Sequence, residues 1–121
     1  MRILVTGSRN FAEFEYMREV IEGFCIVGEN VHWCHGGAQG ADRMADRIIK
    51  AIRDCDYPGW TIQKFDADWE PYGKHAGPLR NQQMLDEFDP DLVIAFPRKG
   101  SKGTWDMIER ALKSEVTVLF R

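Results

Sequence analysis

Four groups of residues in this 121-residue chain have the type and spacing to do chemistry. Three are glycine-bearing turns: Gly7-Ser8-Arg9-Asn10, Gly36-Gly37-Ala38-Gln39-Gly40-Ala41-Asp42, and Gly100-Ser101-Lys102-Gly103-Thr104. Each stands where an apolar run ends and a helical pattern begins. Such a turn, free of side-chain bulk, presents backbone N–H groups at a helix N-terminus, where the aligned peptide dipoles favour an anion. The chemistry this suggests is recognition of a phosphorylated ligand. The fourth is Arg80, in the opening turns of a helix, where a cation opposes the dipole unless an anion lies beside it. The candidate ligand-binding residues are therefore Gly7, Ser8, Arg9, Gly36, Gly37, Gln39, Gly40, Asp42, Arg80, Gly100, Ser101, Gly103 and Thr104. Lys74, His75, Arg98, Lys99 and Lys102 fall in or just after loops on the same predicted side.

The elements that must position these groups are legible from hydrophobic period. Ile3 to Thr6 is a short apolar strand, and Phe14, Met17, Ile21 and Phe24 then stripe a helix, with Asn10 and Glu13 placed as its cap and reciprocal partner. Val31 to Cys34 is a second strand, followed by a helix from Gln39 to about Cys55. Trp60, Ile62 and Lys64 alternate with Thr61, Gln63 and Phe65 in a more polar way, which reads as an edge strand. Asp66 to Ala76 reads as irregular. Gly77-Pro78 opens a helix to Phe88, Asp91 to Phe96 is the most apolar strand, Thr104 to Ser114 a helix with Trp105, Ile108, Ala111 and Leu112 inward, and Val116 to Phe120 the last strand. Strict alternation implies a Rossmann-like α/β fold, three layers deep, with a five-stranded parallel sheet and right-handed crossovers. The apolar first and fourth strands belong at its centre, giving the order 3-2-1-4-5, and the crevice where that order reverses gathers all three turns.

Composition narrows the function. The net charge of −3 leaves no overall basic footprint for duplex nucleic acid, so any nucleic-acid role would have to be local, and the expected partner is a small anion at a locally basic mouth, with no membrane partner. Three cysteines without paired spacing argue for a reducing compartment and against a zinc site, and the chain enters a strand at once, so a cytoplasmic protein without cofactor or metal is expected. His32 and Cys34 share a strand face without a second ligand pair, while His35 and His75 are placed for ligand hydrogen bonds. Trp33, Trp60 and Trp105 read as core, and Trp69 as either a stacking platform or a loop pin. The first turn lacks G-x-G-x-x-G and no G-x-x-x-x-G-K-[ST] occurs, which argues against a dinucleotide oxidoreductase and a P-loop NTPase. The whole chain, residues 1–121, reads as one domain.

Val5-Thr6-Gly7-Ser8-Arg9, His35 to Asp42, Ala76 to Met84, and Ala95-Phe96-Pro97 through Gly103-Thr104 resemble the signature blocks of the SLOG superfamily, in its YpsA-related branch known from bacteria and phages. That superfamily includes the Lonely Guy (LOG) phosphoribohydrolases, the DNA-binding protein DprA and domains that sense nucleotide-derived ligands. The resemblance implies a nucleotide-binding crevice and a homodimer. Arg80 and Met84 match the LOG helix motif Arg-x-x-x-Met, and Gly100, Gly103 and Thr104 partly match its glycine loop, but Asp106 and Met107 stand where that motif has paired glutamates. N-glycosidic cleavage passes through a cationic sugar and needs a carboxylate at the anomeric carbon and donors on the phosphate. Asp106 is the candidate carboxylate and Arg80 the phosphate-complementing cation; Asp106 alternatively serves only the N-terminus of its own helix, and Asp42 either binds ribose hydroxyls or orders its glycine turn. Three functions follow: hydrolysis of a nucleoside monophosphate, non-catalytic nucleotide sensing, or single-stranded DNA binding.

Overall fold

A computed structural model describes residues 1–121. Five parallel strands, β1 (Arg2–Gly7), β2 (His32–His35), β3 (Thr61–Lys64), β4 (Leu92–Phe96) and β5 (Thr117–Phe120), form one sheet in the order β3-β2-β1-β4-β5. The helices are α1 (Phe14–Glu22), α2 (Ala41–Cys55), the short α3 (Trp69–Tyr72), α4 (Ala76–Gln83) and α5 (Lys102–Lys113). The fold is the expected Rossmann-like α/β sandwich, and no helix is long and apolar enough to cross a membrane.

Strand periodicity divides the core in two. Ile3, Val5, Trp33, Ile94 and Phe96 point to one face, where Met17, Ile21, Ala45, Ile48 and Ile49 of α1 and α2 cover them. Leu4, Cys34 and Val93 point to the other, under Met84, Leu85, Phe88, Met107 and Ala111. Both faces of β1 and β4 are thus buried, which is why these strands are continuously apolar. Gly7 ends β1 because a Cβ there would lie 2.4 Å from the Cβ of Ala41; a side chain would push the strand away from α2.

Four details differ from the sequence reading. Helix α1 begins at Phe14 with no side-chain cap, and Asn10 instead turns back on Ser8. The cause is tertiary: Phe11 packs edge-on against Phe96 at 5.1 Å, drawing the chain across the sheet before the helix can start. Phe11 is consequently buried while Phe14 is exposed. The stretch read as irregular contains α3 and a 3₁₀ turn, Gly73–His75, that runs directly into α4, and the helix continues past Gln83 as a π turn to Phe88. Trp105 and Leu112 are half-exposed, because the inward stripe of α5 is Thr104, Met107, Ile108 and Ala111, one position round; Trp105 stacks against Phe120 instead. Helix α2 starts at Ala41, two residues later than expected.

Candidate functional site

At the carboxyl ends of β1 and β4, where the strand order reverses, lies a cleft of about 710 Å³, within the usual size range of small-molecule sites. Its first wall is the loop after β1, with Gly7, Ser8, Arg9 and Asn10. The second is the loop after β4 and the start of α5, from Lys99 to Thr104, with Asp106. The third comes from α3 and α4: Trp69, Lys74, Arg80 and Asn81.

The walls are strongly cationic. Arg9, Lys74, Lys99 and Lys102 are exposed at the rim, and none has a carboxylate partner or hydrogen bond. With Arg80 they make five cations against two carboxylates, Asp42 and Asp106, in a chain whose net charge is −3. Helix α5 adds its N-terminus. Ser101 is spent on its own turn, accepting from the Arg98 N–H at 3.0 Å and donating to the Arg98 carbonyl, so it does not cap the helix. The Gly103 and Thr104 N–H groups are left without acceptors in the chain. Unsatisfied donors at a helix start, ringed by unpaired cations, are suited to an oxyanion.

The glycine turn after β2 behaves differently. Asp42, 5% exposed, accepts through Oδ2 from the N–H groups of Gly36 (3.1 Å) and Ala38 (3.2 Å). The Gly37 N–H donates to Nδ1 of His35 at 2.9 Å, and the Ala41 N–H to the Ser8 carbonyl at 3.1 Å. His35 therefore carries its proton on Nε2, donated to Asp46 at 2.8 Å. Gly40, at φ +77°, admits no side chain, since a Cβ would lie 2.4 Å from the carbonyl oxygens of Ser8 and Arg9. This turn spends the Gly36, Gly37 and Ala38 N–H groups on itself, while those of Gln39 and Gly40 have no acceptor in the chain. Of its predicted ligand residues only Asp42 lines the cleft; Gly36, Gly37, Gln39 and Gly40 shape the turn behind it. The other predicted residues, Gly7, Ser8, Arg9, Arg80, Gly100, Ser101, Gly103, Thr104 and Asp106, are brought together along the walls.

Arg80 is half-buried across the face of Gly36, where a Cβ would fall 2.5 Å from the guanidinium carbon. It donates from Nη1 to the Gly36 carbonyl at 2.6 Å and from Nε to Asn81 Oδ1 at 3.2 Å, leaving Nη2 uncommitted. Burial lowers its basicity, which the charge of Asp42 partly restores. Burial likewise raises the pKa of Asp42, opposed by His35, the two N–H donors and Arg80. The two side chains form no ion pair, and Asp42 Oδ1, shut off from solvent, has no hydrogen-bond partner in the chain.

Asp106 lines the cleft but holds two helices together. Its Oδ2 accepts from Asn81 Nδ2 at 2.9 Å and from Arg110 Nε at 2.8 Å, while Arg110 also reaches Gln82 Oε1 at 3.0 Å. Asn81 is the residue that sequence reasoning passed over. It is 3% exposed and accepts from Arg80 while donating to Asp106 and to the Gly103 carbonyl. The signal was present: Asn81 falls three, four and seven residues before Met84, Leu85 and Phe88, on the inward stripe of its helix, where a polar side chain must find partners. Arg98, grouped with the mouth cations by sequence, is instead engaged with Glu13 at 2.7 Å and lies over the Phe11 ring. His75 is exposed outside the cleft, His32 bonds Thr61 and Asn30, and Cys34 is buried in the core.

Comparison with known proteins places the fold. No established family profile matches the sequence. The chain is 33% identical to the Gene 61 protein of Mycobacterium phage D29 over 126 aligned residues, covering 98% of this chain and 94% of that protein. Its fold is similar to that of DNA processing protein A (DprA) from Streptococcus pneumoniae, with a TM-score of 0.70 at 21% identity. That likeness takes in 98% of this chain but 49% of the DprA chain, so the chain spans about half the length of that protein.

Proposed function

The chain belongs to the family of the Gene 61 protein of Mycobacterium phage D29, and from the chemistry of its cleft we propose that it binds a phosphorylated nucleotide or nucleotide-derived ligand. The observation that carries this reading is the meeting of the open first turn of α5 with four unpaired cations. A phosphate at Gly103 and Thr104 would take up their N–H groups, and Arg9, Lys74, Lys99 and Lys102 would neutralise its charge. Trp69, 49% exposed on the opposite wall, offers an aromatic face to a base. The SLOG resemblance supports the same class of ligand; the YpsA-related branch and a homodimer remain parts of this proposal.

A thermal-shift panel of nucleoside mono- and diphosphates against inorganic phosphate and sulfate tests it. Stabilisation by nucleotides beyond that given by the simple anions is expected; equal shifts would reduce the cleft to an unspecific anion site.

A second reading, single-stranded DNA binding, is favoured by the likeness to DprA together with the open, cation-lined mouth. Single strands are held by backbone charge and base stacking, which this cleft offers despite the acidic chain. Under that reading oligonucleotides bind far better than mononucleotides, and affinity falls with salt at a slope of about −0.7 per phosphate contacted. Hydrolysis of a nucleoside monophosphate is the catalytic extension. It would have to use the remaining oxygen of Asp106, because Oδ2 already accepts from Asn81 and Arg110. Release of free base that is lost in Asp106→Asn would support it.

A further inference from the structure

The two edges of the sheet are finished differently. At one edge β3 carries Gln63 and Lys64, exposed polar side chains that discourage pairing with another strand. At the other, β5 reads Thr117-Val118-Leu119-Phe120, without charge, proline or bulge. Helix α5 continues this apolar edge. Its Trp105 is half-exposed and lies against Phe120 at 6.1 Å, and Leu112, also half-exposed, follows two turns on along the same helix face. Glu109, between them, has its counter-ion in Lys113 at 4.0 Å.

The outward row of peptide groups on β5 is defined by its inward one. The Arg121 N–H donates to the Ala95 carbonyl at 2.9 Å, so alternation turns the peptide groups of Thr117 and Leu119 toward β4 and those of Val116, Val118 and Phe120 away from it. Two of the outward groups are taken within the chain: the Val116 N–H by the Ala111 carbonyl at 2.9 Å, and the Phe120 carbonyl by Arg121 Nη1 at 3.0 Å. That leaves the Val118 N–H and C=O, the Phe120 N–H and the Val116 C=O.

A second copy of the same strand, run antiparallel about a two-fold axis at Val118, matches this row. Val118 exchanges both bonds with Val118 of the second copy, and the Phe120 N–H of each copy meets the Val116 C=O of the other. The two groups already taken are the pair that would otherwise have bonded each other across the junction. Side chains agree with this register. On the face beneath α5, Val118 meets itself and Val116 meets Phe120; on the other face Thr117 meets Leu119. At the ends Glu115 falls opposite Arg121, and both are exposed without an ion-pair partner in their own chain. A two-fold axis at Thr117 or Leu119 would bring together residues whose peptide groups face β4.

We propose that β5 is the docking edge for a second copy of this chain, with the two sheets joined antiparallel at Val118. This rests on the homodimer named above and gives it an interface; it is independent of what the cleft binds.

The test is sedimentation velocity of the full chain over a concentration series, where wild type is expected to dimerise. Phe120→Lys sets a cation in the apolar junction, and Val118→Pro removes the central N–H while sparing the bonds to β4. Each should raise the dimer dissociation constant tenfold or more with the circular-dichroism spectrum of wild type. In a hydrogen-bonded antiparallel pair the Cα atoms lie about 5.5 Å apart, within the span of a disulfide. Val118→Cys, made in a Cys55→Ser background because Cys55 is exposed, should therefore give a disulfide-linked dimer on oxidation that the Cys55→Ser parent does not. Wild type that stays monomeric at every concentration would overturn the homodimer and the edge together. A dimer whose dissociation constant is unchanged in Phe120→Lys, or which Val118→Cys fails to cross-link, would overturn the β5 edge and leave the homodimer standing. Should Val118→Pro not fold, Phe120→Lys and the cross-link decide.

Discussion

Replacing Arg80 by alanine separates a ligand contact from a structural pin. Arg80 makes two strong internal bonds, from Nη1 to the Gly36 carbonyl at 2.6 Å and from Nε to Asn81 at 3.2 Å, with Phe65 O at the limit of contact at 3.5 Å. Hydrogen bonds to a charged group contribute about 1.5–3 kcal/mol when both partners are buried. Water filling the space that the side chain vacates would solvate the orphaned carbonyl, which brings the expected stability loss nearer about 1–3 kcal/mol. For a domain of this size about 1 kcal/mol corresponds to about 4 °C, so the melting temperature should fall by roughly 4–12 °C. The protein should remain folded, because neither hydrophobic cluster includes Arg80. Affinity responds separately: the loss of the free Nη2 donors and their charge should weaken nucleotide binding by about 1.5–3 kcal/mol, or roughly 10- to 150-fold. Arg80→Lys should fall between, since one ammonium cannot serve Gly36 and a ligand in the fork geometry of a guanidinium. Calorimetric titration beside a thermal melt measures both effects. A lowered melting temperature with an unchanged dissociation constant would show that Arg80 only pins the Gly36 turn, and the reasoning about the cleft would be wrong at that residue.

Three further outcomes follow from particular contacts. Gly40→Ala should destabilise by about 2–4 kcal/mol, because alanine resists the left-handed backbone and its Cβ meets two carbonyl oxygens; a denaturant titration with unchanged midpoint would refute this. Lys99→Ser with Lys102→Ser should leave stability within about 0.5 kcal/mol, since neither side chain has a partner, while lowering the salt slope of single-strand binding by about 1.4; an unchanged slope would place any strand elsewhere. Asp42 titrates above its ordinary 3.8 because it is buried, so the folded chain holds that proton more tightly than the unfolded chain does. Its contribution is therefore fully present below that value and lost as pH rises through the folded value; Asp42→Asn should compare more favourably with wild type at about pH 7.5 than at about pH 4, and the opposite ordering of melting temperatures would contradict the shift.

The amino-acid sequence by itself determined the alternation of strands and helices, the parallel sheet and its order, and the convergence of the three glycine turns on one crevice. These depend on hydrophobic period, on the apolar character of β1 and β4, and on glycine at strand ends, all of which are local or follow from handedness rules. Only the tertiary structure decided which donors stayed free. The turn after β2 and the turn before α5 look alike as sequence, yet Asp42 and His35 take up the Gly36, Gly37 and Ala38 N–H groups of the first, while Ser101 turns away and leaves the Gly103 and Thr104 N–H groups of the second free. Arg80 reaches Gly36 across 44 residues, and Asn81 reaches Asp106 across 25. The same holds for Phe11, whose seat on Phe96 delayed α1, and for Trp105, turned outward by one position of helix phase. Side-chain partners so far apart in the chain are chosen by packing in three dimensions, which no local period encodes.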